Sequence, residues 1–236
     1  DSSSQTEIAE QLDTTLPEGE DALTAQVNIE KLELDFDSIG ITDVGFSTGM
    51  SEFFRTDNGY GIFILPSGPC EIIFAECSEE FQFKSSNQLT IPAPQDDYYY
   101  TGGTYVYSDN KLYSFVTMEW HNGMKPYAYS DNQENFDWDA YYADTDTRYM
   151  LCTHSMDGTL IDAVVMNGLR DSEYYDEYND FISVDQFYID NGEAYLTLDS
   201  GSILRLNKED GSISEIYSVD ENIAQYGDCQ LQLYKD

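Results

Sequence analysis

The feature that most limits what this chain can fold into is a recurring two-residue turn. Asn58-Gly59, Asp157-Gly158, Asn191-Gly192, Ser200-Gly201 and Asp210-Gly211 each stand between short runs rich in Tyr, Phe, Ile, Leu and Val. Asn-Gly and Asp-Gly pairs suit type I′ turns, which need positive φ and whose twist matches antiparallel strands. From 183 to 219 these turns predict a four-stranded up-and-down meander: Phe187-Tyr-Ile, Ala194-Tyr-Leu-Thr-Leu, Ser202-Ile-Leu-Arg-Leu and Ile213-Ser-Glu-Ile-Tyr. Farther upstream, Leu32, Leu34 and Phe36 alternate with Glu33, Asp35 and Asp37, the period-two pattern of a half-buried strand. Helical periodicity is scarce, so the expected class is all-β and antiparallel.

Composition removes several functions. The 236 residues carry 46 Asp plus Glu against 10 Lys plus Arg, a formal charge of −36. Nucleic-acid binding rests on basic side chains that neutralise phosphates, so a duplex or RNA partner is not expected. The same charge disfavours anionic lipid surfaces, and no apolar run is long enough for a membrane span. With 14% aromatic residues, including 20 Tyr, the chain has ample core-forming side chains.

Two parts are expected. Residues 1–26 hold seven acids and no base, with Ser2-Ser3-Ser4 and Pro17-Glu18-Gly19. Such a stretch cannot bury enough apolar surface to offset its ordering entropy, and reads as a disordered acidic leader or an ordinary frayed terminus. The leader resembles the tether that follows the lipidated cysteine of bacterial lipoproteins, which implies an extracellular or cell-surface location and a lipid tether upstream of residue 1. Residues 27–236 form the β domain.

Tyr107-Ser-Asp109, Tyr142-Ala-Asp144, Tyr188-Ile-Asp190 and Tyr226-Gly-Asp228 each precede a strand-like run, at spacings of 35, 46 and 38 residues. Repeats of about 40 residues with four strands each mark propeller blades. The stretch from 188 to 225, with its Asp-Asn-Gly and Asp-Gly turns, resembles such a blade. At fold level the chain therefore looks like a β-propeller-like repeat domain of a bacterial secreted protein or lipoprotein, with about five blades or as part of a larger propeller. A two-sheet β-sandwich is the rival. The final run, Cys229-Gln-Leu-Gln-Leu-Tyr, would either close the ring against residues 28–37 or continue into a longer array.

Four cysteines permit two disulfides in an exported chain. Cys70 and Cys77 flank a strand-like run; seven extended steps cover about 23 Å, against the roughly 7 Å that a bridge tolerates. Buried free thiols are expected, and without a Cys-x-x-Cys spacing zinc has little support.

Chemistry-bearing residues are few. Ser155 beside His154 has no nucleophile elbow around it. Ser155-Met-Asp157-Gly158-Thr159 holds letters of the sialidase Asp-box at the wrong spacing and without its Trp, which makes it ordinary hairpin chemistry. Asp137, Asp139, Asp144 and Asp146 are calcium candidates because hard cations want converging oxygens. A second acidic group lies at Asp171, Glu173, Asp176, Glu177 and Asp180. The ligand-binding candidates are Trp120, His121, Trp138, Tyr141 and Tyr142, flat rings edged by carboxylates that suit a sugar or a peptide. The competing role for these rings is packing between blades. The expected function is a non-catalytic binding module for a protein or glycan, with a propeller-based glycoside hydrolase and a structural scaffold as alternatives.

Overall fold

The computed structural model describes residues 34–41, 49–50, 53–65, 72–127, 130, 133–176 and 181–218. The expected leader at 1–26, the expected closing run at 229–234, Cys70 and Cys229 lie outside them. No helix among the described residues is long and apolar enough to cross a membrane.

The described strands form three antiparallel sheets. The first holds β1 (Gly49–Met50), β2 (Phe54–Thr56), β3 (Gly59–Leu65), β4 (Ile73–Cys77) and β5 (Phe83–Gln88), in the order β1-β3-β4-β5 with β2 also paired to β3. The second is β6 (Tyr99–Ser108), β7 (Lys111–His121), β8 (Thr145–His154) and β9 (Leu160–Val165). The third is β10 (Val184–Asp190), β11 (Glu193–Leu198), β12 (Ser202–Leu206) and β13 (Ile213–Ser218). The class is all-β, in four-stranded meanders, as the turn chemistry requires.

The third meander is the clearest case. Asp190 pairs with Glu193 across Asn191-Gly192, whose φ values of 49° and 77° define the expected type of turn. Between β6 and β7, Asp109 and Asn110 adopt φ of 51° and 59° and make an equivalent turn without glycine. Short side chains that bond locally tolerate this region, so Asp-Asn can do what Asn-Gly does.

The strand expected around Leu32–Asp37 is not found in its described part, 34–37. Over 34–37 the alternation of Leu34 and Phe36 with acids gives a 3-10 turn at Phe36–Ile39 instead. Asp35 Oδ1 accepts from Ser38 N at 3.2 Å, and Gly40 ends the turn at φ 79°. Local capping overrides a period of only a few residues.

The sheets stack in succession. Leu112, Val116 and Met118 of β7 pack with Phe63 and Phe74 of the first sheet. On its other face, Tyr113 and Phe115 pack with Phe187, Leu196 and Leu204 of the third. The second sheet is thus buried on both sides, which is why Leu112–Val116 reads as a continuous run instead of an alternation. Cys77 and Cys152 are buried and unbonded, as expected.

The Tyr-x-Asp repeat does not mark equivalent places. Tyr107 and Tyr188 close first strands, whereas Tyr142 caps a helical turn between second and third strands. A different repeat is present. The β8–β9 turn at Asp157-Gly158 sits on the last residue of β5, so that a Cβ on Gly158 would lie 2.8 Å from Gln88 O. The β12–β13 turn at Asp210-Gly211 sits on the last residue of β9, where a Cβ on Gly211 would lie 2.0 Å from Val165 O. In both turns an aspartate accepts a backbone N–H two residues on, from Thr159 at 3.1 Å and Ser212 at 2.9 Å. Each later sheet docks its third turn on the outer strand of the sheet before it.

Candidate functional site

The end of β7 and the connection to β8 build an aromatic patch. Asn122 and Gly123, at φ 48° and 69°, turn the chain out of β7 after His121. It returns through one helical turn, α1 (Trp138–Tyr141), whose first N–H groups would otherwise lack partners. Asp137 Oδ1 caps that turn by accepting from Ala140 N at 3.0 Å, and Asn122 Nδ2 donates to Ala140 O at 3.2 Å. These bonds fix α1 over the end of the strand.

A buried layer carries an exposed one. The His121 ring stacks on Tyr141, with centroids 3.9 Å apart and planes 14° apart. His121 Nε2 lies 2.9 Å from Glu119 Oε2. A carboxylate only accepts, so this nitrogen carries the proton. Thr101 Oγ1 donates to the other Glu119 oxygen at 3.1 Å. Burial, followed by Glu119 and Tyr142, pushes the Tyr141 phenol up to about 12, so it stays a neutral donor. Above this base stand Trp138, Tyr142 and Tyr127, which are 47%, 62% and 41% exposed. The Trp138 ring runs near-parallel to Tyr127 (5.3 Å, 25°) and Tyr142 (6.0 Å, 16°). Phe136 closes the group with its ring 4.6 Å from Trp138.

Four of the five residues expected to bind ligand therefore meet: His121, Trp138, Tyr141 and Tyr142. Trp120 does not. Successive residues of a strand face opposite ways, and Trp120 packs with Met118 and Met150 on the other side of the sheet. Tyr127 joins the patch across the loop, and the sequence holds no signal that brings it there. Glu119 could have been found, since it lies two residues before His121 and so on the same face.

The expected calcium ligands do not converge, and no group of three or more His, Cys, Asp or Glu side chains is placed to hold a metal among the described residues. Asp137 is the helix cap. Asp146 is held by cations: Arg148 Nε lies 2.7 Å and Arg170 Nε 3.4 Å from its oxygens, and the Tyr98 hydroxyl also donates to it. In the second acidic group, Glu177 and Asp180 lie outside the described residues.

Ser155 and His154 do not cooperate. Ser155 Oγ donates to Asp157 Oδ1 at 2.5 Å, while His154 Nε2 donates to Thr90 O at 2.9 Å inside the core. Tyr98 and Tyr100 also serve packing, Tyr98 being buried and Tyr100 meeting Tyr105 through their hydroxyls.

Comparison with protein-family models, with curated proteins and with solved structures finds no match to this chain.

Proposed function

We propose that this chain is a non-catalytic binding module of a β-propeller-like domain, and that its aromatic patch takes a glycan or protein partner. The observation that carries the reading is the exposed set of near-parallel rings, Trp138 and Tyr142 on a capped helical turn and Tyr127 from the loop before it, beside a buried His121–Tyr141 stack. Rigid aromatic surface of this kind contacts sugar faces at little cost in side-chain entropy, and the flat, hydroxyl-edged arrangement favours a glycan. The docking of each later sheet's third turn on the preceding outer strand supports repeated blades. The location outside the cell belongs to the same proposal and rests on the tether-like composition of residues 1–26.

A glycoside hydrolase would need two carboxyl groups at a set separation, one of them shielded enough to keep its proton. Among the described residues no Asp or Glu is buried. Both oxygens of Glu119, the carboxylate bonded to His121 under the patch, already accept hydrogen bonds.

The chain has two tryptophans, so fluorescence reads the patch directly. Neutral polysaccharides such as xylan and cellohexaose are titrated against the full chain and against Trp138→Ala and Trp120→Phe. The expected result is saturable quenching in the unsubstituted chain that Trp120→Phe preserves, and an affinity, read by calorimetry because Trp138 is also the reporter, that Trp138→Ala weakens at least about tenfold, the loss usual for a central aromatic contact. Equal binding by a doubly substituted Trp138→Ala, Tyr142→Ala chain would overturn the assignment of the patch.

A further inference from the structure

Among 46 acids, two of this chain's four arginines converge on one partly buried point. Arg148 lies on β8 and Arg170 ends a second helical turn, α2 (Asn167–Arg170). Their side chains are 32% and 29% exposed, and the Asp146 carboxylate between them is 19% exposed. Both reach Asp146 through Nε, which leaves the outer edges of the guanidinium groups for other partners. Arg148 shares Tyr98 with Asp146. Arg170 Cζ lies 4.1 Å from the centroid of the Tyr175 ring, a cation–π contact. The terminal nitrogens of Arg170 make no hydrogen bond to the described residues. Arg148 and Arg170 both line a cavity of about 440 Å³, together with Asp171, Ser172 and Tyr175.

We propose that this cavity binds a small hydroxylated carboxylate of the uronic-acid type, with its carboxylate on the outer edges of Arg148 and Arg170. A planar fork matches a carboxylate through two parallel N–H···O bonds. Two guanidinium groups share one internal carboxylate, which leaves an excess of cationic charge where they converge, offset in part by the exposed Asp171 carboxylate that also lines the cavity. Partial burial keeps that charge from being screened as a surface lysine would be. Ser172 and Asp171 add hydrogen-bonding groups for ligand hydroxyls, and Tyr175 supplies a ring wall. The lining therefore favours an acidic sugar over an apolar acid or a bare peptide terminus. The cavity shares no lining residue with the aromatic patch, and Asp146 pairs in register with Trp120, on the face of the sheet away from His121.

With four arginines in the whole chain, their Nε–H signals form a nearly empty NMR spectrum in which each can be followed. The full chain is titrated with glucuronate, with glucose, and with N-acetylalanine as the peptide-terminus probe. Arg148 and Arg170 should shift and saturate with glucuronate at a half-point of about 1 mM, in keeping with a ligand of that size. Arg55, paired with Glu79 on the surface, and Arg205 should stay unmoved. Glucose should do nothing. Asp146→Asn removes the internal competitor and should tighten glucuronate binding by about threefold or more. A network that only braces the fold would give no saturation in the unsubstituted chain, and that result overturns the proposal. So does a uniform shift of all four arginines, an equal response to glucose, or weaker binding by folded Asp146→Asn. Saturation by N-acetylalanine without glucuronate would overturn the sugar assignment.

Discussion

Alanine at Gly211 and at Gly192 should cost very different amounts, although both glycines hold nearly the same left-handed φ. Gly192 has φ 77°, and a Cβ there would meet nothing within 4 Å. The only cost of Gly192→Ala is the left-handed conformation, about 1–2 kcal/mol. Gly211 has nearly the same φ, 70°, but its Cβ would lie 2.0 Å from Val165 O and 3.1 Å from Val165 C. Both atoms are backbone in β9, so no side chain can rotate away. The turn must lift off by roughly 1 Å, and Gly168 N then loses its 3.0 Å bond to Gly211 O. That bond is worth about 1 kcal/mol net, and misfit of the packed turn adds a similar amount. Gly211→Ala should therefore cost about 3–4 kcal/mol, about twice the Gly192→Ala loss. Urea unfolding followed by circular dichroism gives both values from midpoints at a common slope. Equal losses would refute the reasoning, because the third sheet would then not be docked through this turn on the second.

Two further outcomes follow from buried groups. Burial holds the His154 imidazole below its ordinary 6.5, and the bond that Nε2 donates to Thr90 O offsets this only in part; Nδ1 has no partner among the described residues. The unfolded chain then binds a proton where the folded one does not, so this group costs stability as pH falls below about 6.5, until the lower folded value is passed. Relative to His154→Gln, the native chain should lose more stability between pH 7.5 and 5.5 by urea midpoint, and parallel pH profiles would rule this out. Burial also pushes the Cys152 thiol up to about 12 and raises Cys77, so neither should form thiolate in the native state. In a Cys70→Ser, Cys229→Ser chain, Ellman's reagent should react only as fast as unfolding exposes the two thiols. Labelling within seconds under native conditions would contradict their burial.

What was legible in the sequence was mostly backbone chemistry at turns. Asn191-Gly192 announces its hairpin because positive φ at two consecutive positions is a local requirement, answerable by residue type alone. Asp109-Asn110 meets the same requirement with less visible residues. The inter-sheet repeat could not be read in advance, because the partners of Gly158 and Gly211 are main-chain carbonyls, Gln88 O and Val165 O, which any residue would supply. Tyr-x-Asp looked periodic because Tyr and Asp are both abundant and both suit strand ends. At the site, adjacency misled. Trp120 and His121 are neighbours in sequence and lie on opposite faces of β7, while Tyr127 and Phe136 arrive through a loop whose path no periodicity encodes.

The acidic excess has a structural use that bears on where function can lie. Asp35 and Asp137 cap helical turns, and Asp157 and Asp210 accept the N–H groups that their tight turns leave over. Those hydrogen bonds, chiefly from Ser155 and Ser212, hold the carboxyls of Asp157 and Asp210 below the usual range. A carboxylate serves such a position better than a neutral side chain because its hydrogen bonds are charge-assisted. It needs no counter-ion, because these groups face water. These four carboxylates are therefore turn chemistry on a solvated surface, and they mark no site. A cation has no comparable use in a turn. When two of four arginines leave the surface to share one carboxylate, the chain accepts a desolvation cost that a solvated pair would avoid. The same holds for apolar surface: most described large rings are buried or half-buried, while Trp138 and Tyr142 are held in water by a cap, a side-chain tie and a buried stack. In this chain the departures from the prevailing pattern, exposed rings and half-buried arginines, carry more functional information than the charge itself.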